Sequence, residues 1–418
     1  MKILLLPAYF YPEHGASPYL GQNLKESFAG NRIYMLLYTP TPSRGVTTDV
    51  LFEYKKRRHE LLLNGYLEVH RFRLFREGKN PLLRACRYIL CWFKQFWRGF
   101  FVRDIDCIFL VSTPPIQGLL GAFLGRIKKV PFIYNLQDIF PDSLVGAGLA
   151  KKGGLLWKIG RRIEDYTYRN ADKIIVISED FKRNIMAKGV SEEKIEVIYN
   201  WVDENAIVPV DDAENPLFEE FSVPHDKFRV VYAGNLGNAQ NIEIIVETAR
   251  RLKGEGVEFI IFGTGGLEEQ IKRTIAEERL DDLRIFPLQP YERVSQVYGL
   301  GNVCVVSCKA GLGGAAMPSK TWSILSAGRA VLANFDEGEL KNILERNGCG
   351  VFTPAGDVEA FVAAILELAR DWAACAPGGR SHCEEMGDRG RDFILNNLTK
   401  EVGTRKYVEV IKSVAGEE

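Results

Sequence analysis

The chain has 418 residues, 54 of them basic and 54 acidic, so its formal net charge is zero and no overall field draws it to nucleic acid. One hydrophobic core cannot serve a chain of this length, and we expect two domains of about 200 residues each. The eight cysteines form no C-x-x-C pair and no histidine cluster at zinc spacing, so neither a disulfide framework nor a structural metal site is expected.

The first half alternates short apolar runs with helical stretches, which is typical of a parallel sheet covered on both faces. The opening run ends at Pro7 without a small-residue cleavage site, so it predicts a buried first strand and not a signal peptide. No window reaches about 18 apolar residues, so no transmembrane helix is expected. Strands are expected at residues 3–6, 33–37, 108–112, 132–135 and 174–177, and helices at 20–28, 117–127 and 157–169.

The segment from Glu53 to Arg103 departs from this pattern, with thirteen Lys/Arg against four Asp/Glu among many aromatic residues. Its part from 80 to 103 is long enough for a helix. One side of that helix would carry the cations Arg84, Arg87, Lys94 and Arg98. Another side would meet lipid or core through Trp92, Phe93, Phe96 and Phe100. The helix either lies in an anionic membrane interface or covers the sheet with snorkelling arginines. The density of aromatics favours the interface.

Two features of the first half could carry chemistry. Gly15 lies in the loop after the first strand, where a phosphate or sugar can approach the main chain, but that loop lacks the dinucleotide G-x-G-x-x-G pattern of hydride-transferring enzymes. Asp138 follows the strand at 132–135, and a carboxylate there can take a proton or bind a hydroxyl. Its alternative role is a helix N-cap, which suits Asp142 better. The D-x-D spacing of Asp104 and Asp106 precedes a strand and is rejected as a metal site.

The second half repeats the alternation and predicts a second doubly wound domain. The join is expected near 197–203, which gives domains at 1–203 and 204–390 and leaves the stretch 391–418 to either domain by spacing alone. Strands are expected at 229–232, 258–262, 283–286, 303–307 and 330–333, and helices at 242–252, 266–277, 291–298 and 337–347. A ligand is expected between the domains, at the carboxyl ends of the strands.

Three glycine-bearing loops follow strands of the second half. The first contains Gly234 and Asn235, the second contains Gly263, and the third leads through a glycine-rich turn to Lys320 at the start of a helix. An ammonium beside free backbone N–H groups at a helix start suits a diphosphate. The alternative is an ordinary loop whose lysine is solvated.

The order of these elements resembles the retaining glycosyltransferases of the GT-B family, of the bacterial surface-polysaccharide type that builds O-antigen and colanic acid. The resemblance runs from end to end of the chain. It is carried by residues 9–13, 112–115, 137–141, 175–178, 200–203, 232–235, 262–265 and 317–320.

This resemblance implies two Rossmann-like domains facing across a cleft, with the acceptor held by the first, the nucleotide sugar by the second, and the last helix crossing back to the first domain. It implies no metal and no cofactor, and a UDP-sugar as the foremost donor. It places Gly15 near the donor phosphates and Asp138 near the reacting hydroxyl. The remaining donor-binding positions that it implies are Gly234, Asn235, Gly263, Leu288, Gln289, Ser319, Lys320 and Thr321.

The sequence departs from the wider family at two places. Asn235 and Gln240 stand where many members carry arginine and lysine, and Ala315 and Ser323 stand where many carry two glutamates. The Pro-Ser-Lys subgroup would then hold its phosphate cation at the helix start, on Lys320.

The function that follows is transfer of a sugar, with retention, to a polyprenyl-diphosphate-linked saccharide by an enzyme bound peripherally to the cytoplasmic face of the membrane. Lys320 would stabilise the departing diphosphate and Asp138 would orient the acceptor. Two alternatives stay open: a nucleotide-sugar epimerase of similar build, and a non-catalytic nucleotide-sugar-binding partner of another transferase.

Overall fold

The computed structural model describes residues 1–13, 18–78, 80–146, 150–315, 317–375 and 379–416. The chain forms two compact units, one of residues 1–199 with 401–418 and the other of residues 200–400. The division between residues 199 and 200 therefore falls within the expected join at 197–203. Residues 391–400 belong to the second unit, and the chain re-enters the first at residue 401.

The first unit contains an eight-stranded sheet in the order β3-β4-β2-β1-β5-β6-β7-β8. Every neighbouring pair is parallel except the antiparallel pair of β3 and β4. The strands are β1 (Lys2–Leu5), β2 (Tyr34–Pro40), β3 (His59–Leu62), β4 (Leu67–Phe72), β5 (Cys107–Val111), β6 (Phe132–Leu136), β7 (Lys173–Val176) and β8 (Ile195–Val197).

Helices cover this sheet and close its core. They are α1 (Pro18–Gly30), α2 (Thr48–Lys56), α3 (Pro81–Phe101), α4 (Gln117–Lys128), α5 (Asp142–Gly146), α6 (Leu155–Asn170), α7 (Glu179–Ala187) and, from the end of the chain, α16 (Lys400–Ala415). Helix α16 packs into the core of the first unit: the hydroxyl of buried Tyr407 donates to Asn135 Oδ1 over 3.2 Å, and its ring lies 6.1 Å from that of Phe109.

The second unit contains a six-stranded parallel sheet in the order β11-β10-β9-β12-β13-β14, which is the doubly wound order 3-2-1-4-5-6. The strands are β9 (Phe228–Asn235), β10 (Val257–Thr264), β11 (Leu283–Phe286), β12 (Val303–Ser307), β13 (Ala330–Phe335) and β14 (Gly350–Pro354). The helices are α8 (Leu217–Glu220), α9 (Glu243–Arg251), α10 (Glu268–Glu278), α11 (Val294–Gly299), α12 (Lys320–Ser326), α13 (Glu339–Asn347), α14 (Val358–Ala374) and α15 (His382–Asn397).

All strands predicted from apolar runs are present, and the cysteines are free thiols, six of them buried. The GT-B expectation of two Rossmann-like units is therefore confirmed. Within the described ranges, no helix combines the length and the apolar character that a membrane crossing needs.

Candidate functional site

The strand order of the second unit reverses between β9 and β12, which pair directly with each other. In doubly wound sheets the loops at the carboxyl ends of such strands form the ligand crevice. Here the loop after β9 begins at Asn235, and the segment after β12 leads to Lys320 at the start of α12.

The ammonium of Lys320 is buried against the end of β9. Its Nζ has no hydrogen-bond partner among the described residues and lies 3.9 Å from the centroid of the Tyr232 ring. Burial lowers the pKa of this amine to about 7. An unpaired buried cation is costly, so the position indicates a binding site for an anion.

Gly234 is required beside this ammonium for two reasons. Its φ of +143° lies in a region that side chains rarely adopt, and a Cβ there would stand 2.9 Å from Lys320 Nζ. Gly263 is its register partner on β10, and a Cβ at Gly263 would stand 2.5 Å from the Gly234 carbonyl oxygen. The structure therefore brings Gly234, Gly263 and Lys320 together, as the sequence predicts.

Backbone amides near Lys320 were expected to be free hydrogen-bond donors, but several of them already have acceptors within the protein. The amides of Gly311 and Gly313 donate to the carboxylate of Asp336 over 3.0 and 2.8 Å. The amides of Thr321 and Trp322 donate to the Pro318 and Ser319 carbonyls. These four amides therefore do not form the expected set of free donors, whereas the Lys320 ammonium has no partner among the described residues.

The two residues beside Lys320 have different environments. Ser319 is exposed, and its side chain makes no capping hydrogen bond to α12. Thr321 is fully buried, and its hydroxyl has no partner within the described part of the chain. Thr321 therefore belongs to the interior behind the ammonium.

The loop after β9 is held by amides and hydroxyls. Asn235 Nδ2 donates to Gln240 Oε1 over 3.1 Å, and the Tyr232 hydroxyl donates to the Asn235 carbonyl over 2.8 Å. Ser307 Oγ donates to the Gln240 carbonyl over 2.6 Å. Asn235 and Gln240 thus brace the loop at positions where many family members carry cations.

Leu288 and Gln289 follow β11, which lies two strands from β9 on the same edge of the sheet, at roughly 10 Å by strand spacing. Leu288 is 49% exposed. Arg293 Nη1 donates to Gln289 Oε1 over 2.9 Å, and Gln289 Nε2 donates to the Pro287 carbonyl over 3.0 Å. The Gln289 side chain is therefore used to hold its own loop, which leaves the main chain for any contact with a base.

In the first unit, Asp138 follows β6 with an exposed side chain. Desolvation raises the pKa of its carboxyl, and a hydrogen bond from the Ser143 side chain opposes that rise. Asp142 is the first residue of α5, and its carboxylate pairs with Lys188 over 2.8 Å. Asp142 thus lies inside the first turn of the helix, where its carboxylate pairs with Lys188, and does not precede the helix as its N-cap. The predicted position at Gly15 lies outside the described residues.

Glu13 is a buried carboxylate for which no role is predicted from the sequence. Its Oε1 accepts hydrogen bonds from the amides of Ser43 and Arg44 over 2.7 and 2.9 Å, and desolvation raises its pKa. Nearby, Arg71 Nη2 donates to the Tyr11 carbonyl over 2.8 Å. The only sequence signal was the position of Glu13 in the loop after the first strand.

The cations of helix α3 do not all lie where the sequence predicts them, because one of them is buried. Arg87 is 2% exposed and donates to the Phe75 carbonyl, so it is not available to a lipid headgroup. Lys94 Nζ donates to the Arg73 carbonyl over 2.7 Å, and Arg84 lies 3.2 Å from Glu77. Arg84, Arg87 and Lys94 are thus engaged by neighbouring groups of the protein, and of the four cations only Arg87 is buried, whereas Arg98 is exposed.

The opposite side of α3 is apolar and exposed. We call it the apolar stripe; it consists of Leu82, Leu83, Ile89, Leu90, Phe93, Trp97, Phe100 and Phe101, which are 40–77% exposed. Trp92 and Phe96 are partly buried, with their rings stacked 5.5 Å apart. Of the four aromatic residues expected to meet lipid or core, Phe93 and Phe100 are therefore exposed, and Trp92 and Phe96 are partly buried.

Comparison with known proteins agrees with this geometry. Residues 32–206 match the family described as Glycosyltransferase Family 4, and residues 214–393 match Glycosyl transferases group 1. The chain is 30% identical over 294 residues to WcaI of Escherichia coli (strain K12), which is named a putative colanic acid biosynthesis glycosyl transferase, with 69% of each protein covered. It is 25% identical over 319 residues to the probable glycosyltransferase WbjE of Pseudomonas aeruginosa, covering 75% of this chain and 76% of that protein.

Solved structures show the same fold. Sucrose-phosphate synthase from Thermosynechococcus elongatus superposes with a TM-score of 0.74 at 15% identity, covering 99% of this chain and 98% of that one. Anabaena Alr3699/HepE in complex with UDP-glucose superposes with a TM-score of 0.69 at 16% identity, covering 99% and 100%. From the matches in both halves and the identity to WcaI, the chain belongs to the GT-B glycosyltransferases of the kind that includes WcaI and WbjE.

Proposed function

We propose that this chain is a retaining, metal-independent glycosyltransferase of surface-polysaccharide or lipopolysaccharide biosynthesis. Its donor would be a nucleotide-diphosphate sugar, with a UDP-sugar foremost, and its acceptor a polyprenyl-diphosphate-linked saccharide. The observation that carries the proposal is the buried Lys320 ammonium, which has no anionic partner among the described residues. The names of WcaI and of the lipopolysaccharide enzymes WaaB and WaaG, which share the fold, support the biosynthetic setting.

The diphosphate of the donor is the ligand that suits Lys320. A diphosphate beside the amine would raise its pKa from about 7 and hold it protonated, which removes the cost of burying it alone. The complexes of Anabaena HepE with UDP and with UDP-glucose support a uridine nucleotide as donor.

In the proposed reaction, the acceptor hydroxyl oxygen attacks the anomeric carbon on the face that the diphosphate leaves. The bond from this carbon to the donor oxygen breaks, and its electron pair stays on the diphosphate, whose growing charge Lys320 neutralises. The leaving phosphate takes the proton of the acceptor hydroxyl. Asp138 orients the acceptor through a hydrogen bond, and desolvation raises the pKa of its carboxyl.

The proposed membrane contact is the apolar stripe of α3. Helix α4 packs beside α3 and adds exposed Phe123 and Ile127, and α6 adds Leu155, Leu156 and Ile159. Exposed cations on these helices include Arg98, Arg126, Lys158 and Arg162. Apolar side chains bordered by cations fit an anionic bilayer surface, which would bring a lipid-linked acceptor to the enzyme on the cytoplasmic face.

The test is to incubate purified protein with a panel of nucleotide sugars, with and without a polyprenyl-diphosphate saccharide. We expect release of nucleoside diphosphate that depends on the acceptor, and a product whose anomeric configuration matches the donor. Isomerised donor without acceptor would instead identify an epimerase. Donor binding without turnover under any condition would identify a non-catalytic partner.

A further inference from the structure

The hairpin of β3 and β4 brings three metal-ligating side chains to one point. Nε2 of His59 lies 3.1 Å from Glu68 Oε1, and Nε2 of His70 lies 2.8 Å from the same oxygen. All three ligand atoms lie within 4.8 Å of one another. Among the described residues, this is the one group of His, Cys, Asp and Glu side chains that is placed to hold a metal ion.

The geometry of the hairpin explains why these residues meet. His59 and His70 are register partners, and the Arg71 amide bonds to the Arg58 carbonyl in the adjacent pair. His59 and His70 therefore form a non-hydrogen-bonded pair, in which side chains stand closer together. Glu68 lies two residues before His70 on the same strand face.

Neighbouring side chains orient the ligands. The Tyr34 hydroxyl donates to Glu68 Oε2, so the other carboxylate oxygen is fixed toward the histidines. The His70 ring stacks on Tyr38, with centroids 4.9 Å apart and planes 17° apart. Partners that orient a carboxylate and an imidazole in this way are typical of metal sites.

We propose that His59, Glu68 and His70 bind one divalent transition-metal ion, for which zinc is the probe. A tetrahedral ion with ligand distances of about 2.0–2.2 Å needs its ligand atoms about 3.4 Å apart, and atoms that lie within 4.8 Å of one another reach that spacing if each moves by about 1 Å or less. Both imidazoles would carry their proton on Nδ1 and offer the Nε2 lone pair. The His59 side chain is 52% exposed, which leaves the remaining coordination positions to water.

The bound ion would fasten the edge of the first sheet, because β3 is its outermost strand. The other face of the same hairpin carries Glu60 and Arg71, which form a buried ion pair over 2.9 Å. Arg71 in turn holds the Tyr11 carbonyl of the loop after β1. The ion therefore takes no part in the proposed chemistry. It stabilises the β3–β4 hairpin, which in turn supports the loop after β1.

The test uses full-length protein without a histidine tag, stripped with a chelator and dialysed against micromolar Zn²⁺. We expect one ion per chain, and a d–d absorption band of tetrahedral or five-coordinate type when Co²⁺ replaces zinc. His59→Ala and His70→Ala should each weaken zinc binding by more than about 100-fold, and Tyr34→Phe by about 10–100-fold, since it removes only an orienting partner.

The matched control is His382→Ala, which removes an exposed histidine 3.8 Å from Glu385, with no second imidazole described beside it. It should bind zinc as the unaltered protein does. Circular dichroism of each variant separates loss of the site from loss of the fold. The proposal is overturned if the unaltered protein binds no zinc, or if His59→Ala retains both the stoichiometry and the affinity.

Discussion

The ammonium of Lys320 is buried and lies 3.9 Å from the centre of the Tyr232 ring, which belongs to the core of the second unit. The ring face offers partial negative charge, which offsets some of the cost of burying the cation. It does not replace an anion. The contact therefore offsets only part of the cost of burial, and the pKa of the amine still falls to about 7.

Replacing this cation tests the proposed chemistry most directly. We expect Lys320→Ala to fold normally and to lose about 2–4 kcal/mol of transition-state stabilisation. This loss is measured as kcat/KM with the donor and acceptor that the panel of nucleotide sugars identifies. The matched control is Lys309→Ala, because the Lys309 side chain is 44% exposed in the preceding loop. Equal turnover by the Lys320 variant and the unaltered protein would refute the role of this residue.

The same amine predicts a stability that depends on pH. The pKa of Lys320 falls from 10.5 to about 7 on folding. Between these values the unfolded chain holds a proton that the folded chain has released, so the stability of the protein rises with pH across this window. We expect Lys320→Met to be more stable than the unaltered protein at pH 6, by up to about 4–5 kcal/mol, and to lose that advantage as the pH rises from 7 toward 10.5.

Urea unfolding at pH 6, 8 and 9.5 without nucleotide measures this effect. Lys309→Met serves as the exposed control and should show no such trend. A stability difference between Lys320→Met and the unaltered protein that stays constant with pH would mean that the amine is solvated.

The close approach of β9 and β10 predicts a steric effect at Gly263. We expect Gly263→Ala to destabilise the protein by about 1–3 kcal/mol, because the added methyl group meets the Gly234 carbonyl oxygen at 2.5 Å. Gly266→Ala, three residues later, has nothing within 4 Å of its new Cβ and should be neutral. Chemical denaturation of the two variants gives the comparison, and equal stabilities would contradict the packing described here.

The apolar stripe of α3 predicts binding to anionic vesicles. We expect Trp97→Glu to reduce co-sedimentation with such vesicles, whereas Phe52→Glu, which changes an equally exposed aromatic residue on α2, should leave it unchanged. Replacing Arg126, Lys158 and Arg162 together with glutamine should weaken binding by about 100-fold, at about 1 kcal/mol for each cation removed. If all of these variants sediment as the unaltered protein does, the stripe serves another contact.

The strands were predictable because a parallel sheet is buried on both faces. Runs such as those of β5 and β12 have apolar residues in nearly every position, which is visible without any partner. The β3–β4 hairpin was missed because it lies at the edge of the sheet, with half-exposed strands that contain histidine, glutamate and arginine.

The candidate site was predictable only in part. The position of Lys320 follows from the order of strand, loop and helix, but its burial depends on a contact with Tyr232, 88 positions away along the chain. The loss of free amides at Gly311 and Gly313 depends on Asp336, which follows the next strand. Helical spacing placed Arg87 with the other cations of α3, but it does not say which side of a helix meets the protein.

The chain leaves the first unit at residue 199 and returns at 401, and the ends of the intervening piece are tied to each other. The Val202 amide donates to the Leu398 carbonyl over 3.2 Å, and the Lys400 amide donates to Glu204 Oε2 over 3.1 Å. Residues 200–400 thus form an inserted cassette with adjacent entry and exit points. Replacing the whole of this unit would therefore require only two chain junctions, at the start and at the end of residues 200–400.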